Sequence, residues 1–336
     1  AGKIVSAQTN GTYYKAFAIS FTDPWMGGRK PNSFTISAHY SDENNAYYAW
    51  QKGTRYFRTA GVAAGLGKRL DWPDPYFTFY AEASYERYML KDWNTFVLKN
   101  GAANLLSIRL VLGRNSVDQP IYPRRGSDFS VSVQLTPPYS LWDGKDYKST
   151  ALSEQERYNW IEFHKWMLKG QWFTPLTRNG NLVLMARAEM GYLGHYNKNK
   201  VSPFERFEVG GDGMTGYNMY GIDIISMRGY DDGALDPVGS NYSCAYNKYT
   251  MELRYPLLLK GQTNIYVLGF LEGGNGFTSW KEFSPFKIKR SAGIGVRLFL
   301  PVVGMVGVDW GWGFDPAAGQ TKRSGSHIHF TMGMQF

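Results

Sequence analysis

The sequence has 336 residues, of which 16% are aromatic and 19% charged, and its formal net charge is +9. It contains no run of about 18 apolar residues, which excludes a membrane-spanning helix. The positive charge does not indicate nucleic-acid binding, because the Lys and Arg residues form no basic run. The single cysteine, Cys244, has no internal partner, so it is expected to be a free thiol in a loop.

Apolar residues alternate with polar or small ones along most of the chain. Near the C-terminus, Val306, Val308 and Trp310 alternate with Gly307 and Asp309. Successive side chains of a strand point to opposite faces, so this pattern predicts strands with one apolar face. The segments are about 9–13 residues long, as a tilted membrane-crossing strand requires. About 14 strands are predicted, over residues 3–9, 12–21, 33–42, 54–68, 76–91, 103–114, 127–137, 155–170, 180–194, 245–256, 262–273, 287–300, 303–314 and 326–336.

These elements predict an all-β protein, a transmembrane antiparallel up-and-down β-barrel of a bacterial outer membrane. The connections alternate between tight ones, as at residues 300–302, and long ones, of which residues 196–244 form the longest. Short turns on one side and long loops on the other are typical of such barrels. A soluble sandwich or lipocalin-like barrel would carry more charges on its polar face, where this chain often has Gly, Ser or Thr.

The last predicted strand ends the chain on an aromatic residue. Its apolar face would consist of Ile328, Phe330, Met332, Met334 and Phe336, and Gly333 lies within it. This pattern resembles the β-signal by which outer-membrane proteins are recognised for insertion. It is typical of the class as a whole and does not separate its members.

More specific motifs lie in the long loop and in the strands after it. Residues 207–211 read Phe-Glu-Val-Gly-Gly, and residues 227–230 read Met-Arg-Gly-Tyr. They resemble the F-x-x-G-G and V-R-G-F/Y elements of the BamA-type outer-membrane insertase superfamily, whose arginine-bearing loop folds back into the barrel. Glu252 and Glu272 match positions where that family carries lumen-facing carboxylates beside the arginine. Residues 123–127 are similar to the family's P-x-x-G-S turn, and residues 23–25 to its N-P-Y/W strand end.

The resemblance covers nearly the whole chain and implies a barrel domain over residues 1–336, with residues 196–244 folding into the lumen. Sixteen strands are expected from the family and about 14 are readable, so the first strands are expected to be missing. The family's N-terminal POTRA domains are not found in this sequence.

The function implied by the resemblance is that of an outer-membrane protein insertase, the central barrel of the β-barrel assembly machinery. Client barrels would fold and insert through a lateral seam, with the last strand forming one side of this gate. The expected partners are nascent outer-membrane β-barrel proteins, accessory BAM-type lipoproteins and outer-membrane lipids, without nucleic acid, cofactor or metal. A translocation or secretion pore of the same superfamily and a passive porin are the alternatives.

The most specific prediction for a single site concerns Arg228, with Gly229 and Tyr230 beside it. A guanidinium in a narrow lumen is poorly solvated, and its planar fork can bind one or two carboxylates. Glu252 and Glu272 would supply them, which predicts an ionic latch between the loop and the barrel wall. The alternative is a solvated loop arginine whose ion pairs contribute almost nothing.

An enzymatic function has weaker support in the sequence. His327, His329 and Asp309, with Ser326 beside them, could act together only if nucleophile, base and orienting acid converged within hydrogen-bond reach. The two histidines occupy the last strand, where polar residues are required in alternation anyway. We therefore expect no catalytic site.

Overall fold

The structure, a computed structural model, describes residues 2–10, 13–28, 32–46, 53–95, 98–214, 221–239, 242–260, 263–301 and 304–333. Strands dominate these ranges, together with one short helix, α1 (Glu154–Tyr158), and 3-10 turns at Met26–Gly28, Tyr139–Leu141 and Trp280–Glu282. The strands are β1 (Gly2–Asn10), β2 (Tyr14–Asp23), β3 (Asn32–Asn44), β4 (Tyr56–Arg69), β5 (Phe77–Lys91), β6 (Gly101–Asn115), β7 (Gly126–Leu135), β8 (His164–Pro175), β9 (Val183–Gly194), β10 (Phe207–Val209), β11 (Asp223–Ile225), β12 (Ala245–Lys260), β13 (Thr263–Phe277), β14 (Lys289–Leu300), β15 (Gly304–Pro316) and β16 (Arg323–Met332).

Fourteen of the strands form one sheet whose order follows the chain, from β1 to β9 and then from β12 to β16. Neighbours such as β12 and β13 or β15 and β16 pair antiparallel, as in an up-and-down arrangement. The remaining two strands, β10 and β11, pair in parallel within the long connection between β9 and β12. The 14 strands readable from the sequence therefore correspond to the 14 strands of the sheet.

The two faces of the sheet differ in polarity, as the alternation predicts. On β15 the side chains of Val308, Trp310 and Trp312 are 44%, 45% and 39% exposed, whereas Asp309 between them is fully buried. On β14, Ile294 is 63% exposed and Ser291 is buried. Apolar groups thus lie outside and polar groups inside, the reverse of a soluble protein and the arrangement of a strand that faces lipid. Within the described ranges, no helix is both long and apolar enough to cross a membrane.

One predicted strand, residues 155–170, is wrong over its first half. Residues Glu154–Tyr158 form α1, and β8 begins only at His164. The hydroxyl of Ser153 accepts the backbone N–H of Glu156, whose carboxylate accepts the backbone N–H of Ser153 in return. This capping box satisfies two N–H groups that a helix start would otherwise leave unpaired, so it favours a helical turn over an extended chain.

The other predicted boundaries lie within a few residues of the observed ones, but the last strand is shifted. It begins at Arg323 rather than Ser326 and ends at Met332. Two of the residues predicted for its apolar face, Met334 and Phe336, lie outside the described residues.

By its internal contacts the chain divides into two compact units. The first comprises Ala1–Leu112, Ser132–Trp166 and Gly194–Phe204, and the rings of Tyr88 and Phe204 stack within it at 4.5 Å.

The second unit comprises Gly113–Val131, Met167–Leu193 and Glu205–Phe336, and it contains a buried apolar cluster to which β8, β9, β13 and β15 contribute. Tyr122 belongs to this cluster, and its hydroxyl donates to the carbonyl of Arg254 at 2.9 Å. The turn that precedes β7 is thereby held against the buried face of β12.

We predict that Ile294→Lys destabilises the folded protein by about 2 kcal/mol or more, the cost of a lysine on a lipid-facing strand. The free energy of unfolding in lipid vesicles measures this effect. Val238→Lys is the matched control, because Val238 is 75% exposed in a loop and should tolerate the charge. Equal stability of the two variants would show that the exposed face of β14 does not contact hydrocarbon.

Candidate functional site

The long connection between β9 and β12 is folded by its own backbone hydrogen bonds. Beyond the parallel pairing of β10 and β11, the N–H of Met227 donates to the carbonyl of Gly211 at 2.9 Å. The N–H of Gly211 donates to the carbonyl of Tyr230 at 3.2 Å. The two motifs recognised separately in the sequence are therefore hydrogen-bonded neighbours, and together they hold Arg228 between them.

The side chain of Arg228 meets both of the carboxylates predicted for it. Its Nη2 lies 2.7 Å from Glu252 Oε1 and 2.7 Å from Glu272 Oε1, and its Nε lies 3.1 Å from the same Glu272 oxygen. Its backbone N–H also donates to Glu272 Oε2 at 2.9 Å. Arg228 is only 7% exposed, so these are buried ion pairs rather than the solvated contacts of a surface loop.

The sequence did not predict several further members of this cluster. Asp309 Oδ2 of β15 lies 3.6 Å from Arg228 Nη1, and the guanidinium stacks over the ring of Phe270 at 3.7 Å. Arg254 binds Glu252 at 2.7 Å, and Arg297 binds Asp309 through both of its terminal nitrogens at 2.8 and 2.7 Å. Arg228, Arg254 and Arg297 thus bind Glu252, Glu272 and Asp309 around a polar cavity of about 60 Å³, which Arg187 and Lys248 also line. The alternation of side chains along β12 could have indicated Arg254, because residues two apart in a strand, such as Glu252 and Arg254, lie on the same face.

Glycines on β15 allow the loop backbone to approach the sheet. A Cβ atom at Gly311 would lie 2.7 Å from the nitrogen of Gly229, and one at Gly313 would overlap the carbonyl oxygen of Gly229. Gly229 itself has a φ of +86°, a backbone conformation that residues other than glycine rarely adopt. The alternating glycines noted in the sequence are therefore a contact surface for the R-G-Y segment.

The same segment is bonded to the last strand and to β14. The N–H of Gly229 donates to His329 Nε2 of β16 at 2.8 Å, and the hydroxyl of Tyr230 donates to the carbonyl of Arg290 at 2.9 Å. Of the residues predicted for the gate strand, Ile328, Phe330 and Met332 are 66%, 58% and 59% exposed on the opposite face of β16. Gly333, predicted within the strand, lies just after its end at Met332, and its N–H donates to the carbonyl of Met305 at 2.8 Å.

The residues considered for catalysis have other partners. Asp309 is bound by Arg297, and His329 accepts a hydrogen bond from Gly229. Ser326 lies on the face of β16 opposite to His327 and His329, where its hydroxyl accepts from Trp310 at 2.9 Å. Cys244 is free, and no group of His, Cys, Asp and Glu residues in the described part of the chain is arranged to hold a metal ion.

Another buried carboxylate, Asp236, joins the two ends of the long connection. It accepts hydrogen bonds from the N–H of Val209 at 3.2 Å and from the hydroxyl of Ser243. Burial raises the pKa of Asp236 to about 7, although the hydrogen bonds from Ser243 and Val209 lower it in part. Glu208 nearby also raises this pKa.

Comparison with known proteins shows the family to which the chain belongs. The family model of the Omp85 superfamily domain matches residues 1–336. The outer membrane protein assembly factor BamA of Neisseria meningitidis serogroup B (strain ATCC BAA-335 / MC58) is 23% identical over 258 residues, which make up 71% of this chain and 27% of that protein.

Solved structures show the same fold. BamA from Haemophilus ducreyi lacking POTRA domains 1-3 gives a TM-score of 0.66 at 17% identity, covering 97% of this chain and 62% of that chain. CdiB from Escherichia coli gives a TM-score of 0.55 at 13% identity, covering 94% of this chain and 52% of that chain.

The predicted fold class, a transmembrane antiparallel up-and-down β-barrel, is therefore confirmed. The chain belongs to the Omp85 superfamily, and it resembles the BamA-type barrel domain, as its motifs predicted.

We predict that Arg228→Ala lowers the free energy of unfolding by about 3–5 kcal/mol, because it leaves buried carboxylates without their counter-charge. Arg290→Ala is the matched control, since Arg290 pairs with Asp315 while its side chain is 64% exposed. That variant should change stability far less, because an exposed ion pair contributes little. Denaturant unfolding of both variants in vesicles tests this prediction, which fails if the two losses are equal.

We also predict that the long connection loosens as the pH rises. The folded state holds the proton of Asp236 up to a pH of about 7, whereas an ordinary aspartate loses it near 3.8. The folded state therefore binds more protons between these two values, and its stability falls across this window and is constant above it. Exchange of the Val209 amide, corrected for intrinsic rates, should show greater opening at pH 8 than at pH 5. Asp236→Asn should abolish the difference, and an unchanged pH dependence in that variant would refute the assignment.

Proposed function

We propose that this chain is the membrane-embedded barrel of an outer-membrane protein insertase in a Gram-negative bacterium. One observation carries the proposal, namely the way the Arg228 segment is anchored. Arg228 binds Glu252 of β12, Glu272 of β13 and Asp309 of β15, and the adjacent Gly229 donates to His329 of β16. The loop, which we place in the lumen, is thus tied to the strands that end the sheet order.

The mechanism follows from the cost of unpaired backbone groups in lipid. An incoming strand cannot enter hydrocarbon before its N–H and C=O groups are bonded. A barrel that opens beside β16 offers the edge of that strand as a template, to which the C-terminal strand of a client can add by main-chain hydrogen bonds. Buried ionic contacts at Arg228 and the bond to His329 hold β15 and β16 in place while the client pairs.

Such an insertase makes and breaks no covalent bond, so it requires neither catalytic residues nor a cofactor. The free energy comes from the folding of the client. The partners in this proposal are nascent outer-membrane β-barrel proteins, BAM-type lipoproteins and the surrounding lipids. A narrow apolar belt near the seam would thin the bilayer and lower the barrier to insertion.

A secretion or translocation pore of the same superfamily is the second candidate. It is favoured by the likeness to CdiB from Escherichia coli and to CdiB from Acinetobacter baumannii, which gives a TM-score of 0.53 at 11% identity. A passive porin is a third possibility, but the lumen of a porin is lined with charged rings around an open constriction. Here Glu252, Glu272 and Asp309 bind Arg228 of the long loop, and Arg254 and Arg297 bind two of the same carboxylates.

Depletion of the full-length protein in its native host, followed by quantitative proteomics of the outer membrane, separates these candidates. An insertase should cause many unrelated β-barrel proteins to fall together. Complementation with Arg228→Ala should reproduce part of the loss, and complementation with Arg290→Ala should restore the wild-type profile. Loss of one exported protein alone would identify a secretion pore, and loss of one solute's uptake would identify a porin.

A further inference from the structure

The exposed face of β2–β5 changes from apolar to basic at the edge where the long loops leave the sheet. Over most of this face the exposed side chains are apolar, namely Phe17, Ile19, Ile36, Tyr40, Val62, Leu66 and Phe79. At the loop edge the same face carries Lys15, Arg58, Arg87 and Lys91, called here the basic edge. They lie on the same face as these apolar residues because an even number of positions separates them along a strand. Lys15 lies two residues before Phe17, Arg58 four before Val62, and Arg87 eight after Phe79.

Strand register brings these cations together. Lys15 lies opposite Asp42, and Asp42 lies opposite Arg58. Neighbouring strands are about 4.8 Å apart, so the four strands place the cations within about 15 Å across the sheet. Arg87 and Lys91 lie opposite the uncharged Ala60 and Tyr56 of β4.

One carboxylate offsets only part of this charge. Arg58 Nε lies 3.2 Å from Asp42 Oδ2, and the guanidinium stacks over the ring of Tyr56 at 4.1 Å. The ion pair with Asp42 holds the Arg58 side chain beside the exposed apolar residues of this face. The basic edge thus combines four cationic side chains with a single acidic one among the residues that the structure describes on this face.

The concentration of charge is local to this edge. At the opposite edge of β2–β5, the described strand ends carry one outward acid, Asp23, and one outward base, Lys68. At the loop edge of β12–β16, Arg290 is bound by Asp315 at 3.0 Å. The other side chains described on that face there include Tyr249, Trp312 and Phe314, which are aromatic.

A cation on a lipid-facing strand is strongly destabilising at the bilayer midplane but costs little near the interface. Long Lys and Arg side chains extend their charge toward the headgroups while their stems cover apolar surface. We propose that the basic edge binds the phosphate groups of an outer-leaflet glycolipid that carries at least two phosphates. The long loops mark the outer side of such a barrel, and cations spread over about 15 Å suit a ligand with separated phosphates.

This inference rests on the membrane location in the proposed function but not on insertase activity. It is tested with the full-length protein in detergent by native mass spectrometry, titrating a diphosphorylated glycolipid and its dephosphorylated counterpart. The test variant is Lys15→Gln/Arg87→Gln/Lys91→Gln, which leaves the Arg58–Asp42 pair intact. It should weaken binding of the phosphorylated lipid at least about tenfold, since each cation near a headgroup layer is worth about 1 kcal/mol.

The matched control is Lys68→Gln, which removes an outward cation from the other edge of β4 and should leave the affinity unchanged. The dephosphorylated lipid should bind the unmodified protein and the triple variant equally weakly. The proposal is overturned if the triple variant retains full affinity, or if both lipids bind the unmodified protein equally well. Client folding in zwitterionic vesicles, measured in parallel, should be the same for the triple variant, so failure of the lipid site and failure of the insertase proposal are read separately.

Discussion

The buried charge of Arg228 is the constraint on which the surrounding structure depends. A guanidinium removed from water costs several kcal/mol unless carboxylates and hydrogen bonds compensate it. Glu252, Glu272 and Asp309 do so, but three carboxylates exceed one arginine. Arg254 and Arg297 bind Glu252 and Asp309, and Lys248 Nζ lies 4.0 Å from Glu272. The cluster therefore satisfies its own charges only when the loop, β12, β13, β14 and β15 are all in place.

This requirement also accounts for the composition of β15. The outward residues of β15 include Trp310 and Trp312, and its inward residues include Asp309 followed by Gly311 and Gly313. With no Cβ atoms in the way, the loop backbone comes close enough for the N–H of Gly229 to reach His329 of the next strand. The consecutive residues Arg228, Gly229 and Tyr230 thus contact five strands, β12 to β16, so the loop is directly bonded to β16. In the proposed function, this bonding would link the loop to the seam beside β16.

Much of the fold could be predicted because the alternation of side chains is a local property. Strand positions, the faces of Ile294 and Asp309, and the family motifs all follow from short stretches of sequence. The strand prediction is wrong over Glu154–Tyr158 because the only local feature that favours a helix there is the reciprocal Ser153–Glu156 capping box. The pairing of β10 with β11 was missed for a related reason, since strands of three residues are too short to show a period.

The sequence by itself determined the all-β class, the apolar outer face, the superfamily and the identity of Arg228 as the residue to be neutralised. Glu252 and Glu272 could be named as its partners from the motifs, but the part of Asp309, Phe270, Arg254 and Arg297 depends on the folded arrangement. Register places Phe270, and not Glu272, opposite Glu252, so the ring forms a stacking surface between the two carboxylates. Asp309, which the sequence offered as part of a catalytic set, joins the ionic cluster instead. Such contacts depend on strand register and on the path of a long loop, which bring together residues far apart in the chain. The local alternation of apolar and polar residues therefore cannot predict them.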